Sequence, residues 1–161
     1  MAAKAVIDAR LVILKQIGAS PGIRYRELLR STGLGNGVLE HHLKILEDTH
    51  KVKVDRSGHK KTGFYSTDIL DNESNILAAI RNNVSRQIVI FIIEHDLCTF
   101  NEILKHTEKA PSTLSWHLKR LSKASIISVT YGREYLLYQV VNSNFVEAIL
   151  YKYRDSLENR L

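Results

Sequence analysis

Apolar positions along this chain follow one pattern that is written twice. Leu11, Leu14 and Ile17 fall on one edge of a first helix that Asp8 is placed to cap, and Gly18 with Pro21 and Gly22 closes it. Residues 25–32 predict a short second helix that buries Leu28 and Leu29. The turn Ser31-Thr32-Gly33-Leu34-Gly35 then leads to a third helix starting near Asn36, with Leu39, Leu43 and Leu46 facing inward. After Glu47 the period changes from helical to alternating. Val52 and Val54 mark one strand, Phe64-Tyr65-Ser66 a second, and residues 55–63 read as a glycine-bracketed loop between them. This order is a helix-turn-helix followed by a β wing.

Residues 71–82 predict a connecting helix with Ile76, Leu77 and Ile80 apolar, and the plan then restarts. The copies align without a gap at a spacing of 75: Ile13 with Ile88, Ile17 with Ile92, Leu39 with Leu114, His42 with His117, Leu43 with Leu118, Lys44 with Lys119 and Leu46 with Leu121. Asn83 occupies the place of Asp8, so a cap and a break are expected there. In this second copy helices are expected at about 84–95 and 99–106, a third after Pro111, and strands at 126–130 and 134–140. Its wing is shorter and holds Tyr131-Gly132-Arg133-Glu134.

The fold class that follows is mainly α with small β wings: two tandem winged helix-turn-helix domains plus a C-terminal helix. The expected division is 1–70 for the first domain, 71–82 for a linker helix, 83–141 for the second domain and 142–161 for the C-terminal part. That last helix, from Asn144 to about Asn159, carries Val146, Ile149, Leu150, Tyr153 and Leu157 on one stripe. An uncovered stripe of this length points to a subunit contact, so a homodimer through it is expected ahead of docking on its own chain.

Charge adds direction to this pattern. The 161 residues carry 23 Lys and Arg against 17 Asp and Glu, a net +6 that favours an anionic partner, and the excess lies mostly in residues 1–70. One cysteine excludes an intrachain disulfide and a zinc ribbon. The opening Met-Ala-Ala-Lys-Ala-Val-Ile-Asp has no apolar core of the signal-peptide kind, and the run from Ile88 to Ile93 is far below the ~20 residues that span a bilayer. A cytoplasmic, nucleoid-associated protein with no membrane contact is the expectation.

The groups that can meet nucleic acid lie on the polar sides of the third helices. In the second copy these are Ser112, Thr113, Ser115, Trp116 and Lys119, with Arg133 on the wing; in the first they are Asn36, His41 and Lys44. Arg56, His59, Lys60 and Lys61 on the first wing are placed to hold phosphates, with Arg24, Arg26 and Arg30 adding charge near the second helix. Glu40 opposes phosphate and suits a cytosine amine instead. His42 and His117 sit beside core leucines, where packing is the expected role. Trp116 could stack on a sugar or thymine methyl, or anchor a protein.

Ser112-Thr113-Leu114-Ser115-Trp116-His117-Leu118-Lys119-Arg120-Leu121, followed by Ile126-Ile127 and the Gly132-Arg133-Glu134-Tyr135 wing, resembles the recognition helix and wing of the ArsR-type winged-helix regulators. Glu40-His41-His42-Leu43-Lys44-Ile45-Leu46 resembles the same group. The likeness covers about residues 8–67 and 83–140, and tandem pairs of this sort are similar to small prokaryotic, especially archaeal, regulators. It implies sequence-specific binding of double-stranded DNA in transcription control. ArsR-type proteins often sense metals through cysteine and histidine, but one thiol beside His95, Asp96 and His106 is poor equipment for a thiophilic ion, so neither metal nor cofactor is expected. The chain has no Gly-x-Ser-x-Gly, no phosphate-binding glycine loop and no His-Glu-x-x-His, so no enzyme is expected. Two other roles use the same fold: a protein-interaction scaffold in a chromosome or transcription complex, and a sequence-indifferent architectural DNA binder.

Overall fold

The computed structural model describes residues 8–58 and 61–158. Helix α1 (Ala9–Ala19) starts where Asp8 accepts a hydrogen bond from the Arg10 N–H at 3.0 Å. Its buried residues are Ile13 and Ile17, with Leu14 half-buried, whereas Leu11 is 65% exposed. The expected buried edge through Leu11 is therefore corrected. At about 100° per residue Ile13 and Ile17 stand about 40° apart, and Leu11 lies about 160° from Ile13. The positions that repeat in the second copy mark the core better than apolarity alone.

Helix α2 (Tyr25–Thr32) buries Leu28 and half-buries Leu29, and it ends on Gly33, whose φ of 68° is left-handed and suits glycine. Helix α3 (Asn36–Asp48) buries Leu39, Leu43 and Leu46. These residues join Ile13, Ile17, Ile23, Leu28, Val52 and Phe64 in one cluster, which is the core of the first unit. Strands β1 (Val52–Gly58) and β2 (Lys61–Ser66) pair antiparallel, with Val54 opposite Phe64 and an irregularity between Asp55 and Gly58. Most of the stretch read as loop is thus strand. Backbone pairing needs no apolar alternation, and residues 55–63 carry none to read.

Helix α4 (Asp71–Ile80) buries Ile76, Leu77 and Ile80, and α5 (Asn83–His95) follows after a bend of 108°. The expected break is present, with its cap one residue early: Asn82 accepts from the Ser85 N–H at 3.0 Å. Contacts divide the chain inside α4, between Ser74 and Asn75, into two compact units.

In the second unit a two-stranded expectation becomes three. Strand β3 (Cys98–Thr99) precedes α6 (Phe100–Thr107), which Thr99 caps by accepting from the Glu102 N–H at 3.2 Å. Helix α7 (Pro111–Lys123) opens on a proline, which fits the first turn because its missing N–H has no helical acceptor. Strands β4 (Ile127–Tyr131) and β5 (Leu136–Val140) complete a sheet of order β3-β5-β4. In the first unit Ile23, 75 positions before Cys98, makes only an isolated bridge to Phe64.

The C-terminal helix is broken at Tyr153 into α8 (Ser143–Lys152) and α9 (Arg154–Glu158). Val146, Ile149, Tyr153 and Leu157 are buried within the single chain, and Leu150 is half-buried. This corrects the reasoning that led to a dimer, because the stripe is already covered and needs no second subunit to remove it from water. Among the described residues no single helix is long and apolar enough to cross a membrane.

Candidate nucleic-acid interface

Helix α7 divides cleanly by side. Leu114, Leu118 and Leu121 are at most 3% exposed, so the helix is seated by three buried leucines. Ser112, Ser115, Trp116, Lys119 and Arg120 are exposed on the rest of its surface, and Thr113 is half-exposed. Lys119, the residue whose burial would have ended a groove-reading role, stands in water.

His117 is buried, and its Nδ1 lies 3.0 Å from the Ser85 hydroxyl. The expected packing role agrees with this placement. Burial, followed by the positive charges of Arg120 and Lys109, holds its pKa below the ordinary 6.5. A folded-state value below the unfolded one means that the unfolded chain binds the proton more readily. The stability from neutral His117 is then present above about pH 6.5 and is lost as pH falls below that through the folded-state value. The urea midpoint is expected to drop between about pH 7.5 and about pH 5, and to drop less in His117→Asn.

Trp116 is 52% exposed, and the Arg120 guanidinium lies over its indole at 4.6 Å from the ring centroid. A cation held on an aromatic face is pre-ordered without being neutralised. Arg120 was not among the residues singled out from the sequence; its spacing of four from Trp116 was the available signal. The second wing turns through residues 132–135, closed by the Gly132 N–H donating to the Tyr135 carbonyl at 2.8 Å. A Cβ at Gly132 would meet that carbonyl oxygen at 2.9 Å, so the turn requires glycine. Arg133 is exposed on it, as are Tyr131 and Tyr135 two positions before and after it in the sequence.

The first unit is less free. Asn36, Glu40, His41 and Lys44 are exposed along α3, and on α2 Arg26 and Arg30 are exposed while Arg24 is half-buried. The Tyr25 hydroxyl donates to the Asn36 side-chain and backbone carbonyl oxygens. Arg56 departs from expectation: its Nη1 and Nη2 bind the two oxygens of Glu47 at 2.6 and 2.8 Å. The expectation that Arg56 is placed to hold a phosphate is corrected by this pair. Glu47 and Arg56 are nine positions apart, brought together because β1 folds back along α3. This fork-to-fork pair holds the Glu47 carboxyl below its usual range. His59, Lys60 and the side chain of Lys61 lie outside the described residues.

Comparison with known proteins separates the chain at the same place as the repeat. A family model described as an N-terminal HTH domain matches residues 7–77, and the model of the bacterial regulatory proteins of the arsR family matches residues 84–129. The chain thus carries two helix-turn-helix units, of which the second matches the arsR family. The chain is 35% identical over 72 residues to an uncharacterized HTH-type transcriptional regulator of Methanocaldococcus jannaschii, a match covering 44% of this chain and 17% of that relative. The crystal structure of an ArsR family transcriptional regulator is similar at a TM-score of 0.41 with 18% identity, over 56% of this chain and 95% of the other.

The ArsR-like unit places its sulfur and imidazoles apart in function. Cys98 is fully buried, and burial pushes its thiol up to about 11, away from the thiolate a metal would need. The rings of His95 and His106 each stack on Phe91, at 4.2 and 4.4 Å between centroids, and the His95 Nδ1 donates to the Phe91 carbonyl at 2.8 Å. Among the described residues no three His, Cys, Asp or Glu side chains are grouped to hold an ion.

Proposed function

We propose that this ArsR-like chain is a sequence-specific, double-stranded DNA-binding transcriptional regulator acting at the nucleoid. The observation that carries this reading is α7, seated by Leu114, Leu118 and Leu121 with Ser112, Ser115, Trp116, Lys119 and Arg120 left exposed. In the helix-turn-helix arrangement the N-terminal half of the third helix leads into the major groove, and the wing meets the neighbouring backbone. Ser112, Thr113 and Ser115 would hydrogen bond to base edges, and Lys119 to guanine or phosphate. Arg120, ordered by Trp116, and Arg133 would hold phosphates.

In the first unit Asn36, His41 and Lys44 would face the groove, Arg24 and Arg26 would flank it, and His59, Lys60 and Lys61 would grip the backbone. Arg56 is left out, because Glu47 holds it. Residues 71–82 would act as the linker between the two reading heads. The net charge of +6 supports the assignment, since phosphate neutralisation supplies most non-specific affinity.

A scaffold role draws on one observation, the acidic share of the first face, where Glu40 is exposed and Glu47 neutralises Arg56. Selection of bound fragments from random duplex DNA separates the readings. An enriched site is expected. Retention without enrichment would instead mark an architectural protein, and no retention at low salt would mark a scaffold; either result overturns the regulator reading.

A further inference from the structure

We propose that Tyr25 is a positioning residue that sets what α3 reads: its hydroxyl anchors the Asn36 carboxamide by the oxygen and leaves the amide N–H groups as the edge offered to DNA. This rests on the regulator reading above. Tyr25 is the first residue of α2 and Asn36 the first of α3. The ring of Tyr25 is packed against the first core, while its hydroxyl reaches across the turn to the Asn36 backbone carbonyl at 3.0 Å and to Asn36 Oδ1. Burial and then the nearby Glu40 carboxylate raise the phenol pKa, which keeps the hydroxyl protonated and able to donate.

The repeat supplies a control within the same chain. Phe100 opens α6 and Pro111 opens α7, at the positions 75 beyond Tyr25 and Asn36. The hydroxyl and the carboxamide are absent together, and the second copy builds the same turn without either. The bond is therefore dispensable for the helix-turn-helix itself, so a role beyond folding accounts for its presence in the first copy.

Asn36 is exposed at the leading end of α3, in one row with Glu40 and Lys44 at intervals of four. A free carboxamide offers donor and acceptor alike and pairs bidentately with adenine N6 and N7. With Oδ1 turned to Tyr25, Asn36 offers Nδ2 donors, which suit an acceptor-only edge such as guanine N7 and O6. Glu40, next along the row, offers only acceptors and suits the cytosine amine. The first unit then prefers guanine where Asn36 reaches, a preference that Tyr25 imposes.

Selections from random duplexes with the full chain test this, using wild type, Tyr25→Phe, Asn36→Ala and the double variant. Tyr25→Phe copies Phe100 and should leave the thermal midpoint and the salt slope unchanged. It is expected to reduce guanine discrimination by about fivefold or more at one base pair of the selected site, with adenine gaining there. On the Asn36→Ala background it should change nothing further. Equal losses on every sequence with a lowered midpoint, an unaltered preference, or additive effects in the double variant would each overturn the proposal. A wild-type chain that enriches no site removes the regulator reading and this with it, whereas an enriched site indifferent to Tyr25→Phe removes only this.

Discussion

Binding to duplex DNA is expected to weaken by about 10³ to 10⁵ when salt rises from about 50 to about 200 mM, the loss produced by releasing counterions from about six to ten phosphates. The cations available for those contacts are spread over both units. Arg26, Arg30 and Lys44 are exposed in the first, and Lys119, Arg120 and Arg133 in the second. Arg56 should add little to the slope, since Glu47 already occupies both faces of its fork. Glu47→Gln removes that competitor and should steepen the slope by about one phosphate. Lys60→Ala with Lys61→Ala should flatten it by about two, equally on every sequence, because backbone contacts position the protein without reading it. Titrations against a random duplex measure these slopes, and a flat line for the wild type would leave the charged surface without a function in DNA binding.

The repeat made most of this architecture legible. Leu39, Leu43 and Leu46 recur as Leu114, Leu118 and Leu121, and all six are buried, because one seating solution serves both copies. The same register placed Lys44 and Lys119 outward. What escaped the sequence was contact between distant polar residues. Neither Glu47 with Arg56 nor Tyr25 with Asn36 has a fixed helical or strand spacing, and both pairs exist only once the turn and hairpin bring their elements together. What covers the C-terminal stripe was illegible for the opposite reason. Its period correctly marked Val146, Ile149 and Leu157 as buried, but periodicity says that a face is covered and not what covers it.

Leu114→Ala should cost the second unit about 2 to 5 kcal/mol, the range for truncating a fully buried leucine where the surroundings collapse only in part. Leu114 has no exposed surface and sits one residue before Ser115, so its loss loosens the seat of α7 directly behind the proposed reading surface. Lys119, on the water side of the same helix, is the matched control. Lys119→Ala should shift stability by no more than about 0.5 kcal/mol, the usual range for a surface change, yet alter preference among base pairs by about 1 to 3 kcal/mol. Urea unfolding reports the first quantity as a midpoint shift at constant slope, and competition between selected and substituted duplexes reports the second. The two variants should separate completely, one losing fold and binding together, the other losing discrimination from an intact fold. If Lys119→Ala proved as destabilising as Leu114→Ala, or changed no base preference, the outward side of α7 would be a structural surface and the groove-reading assignment would fail.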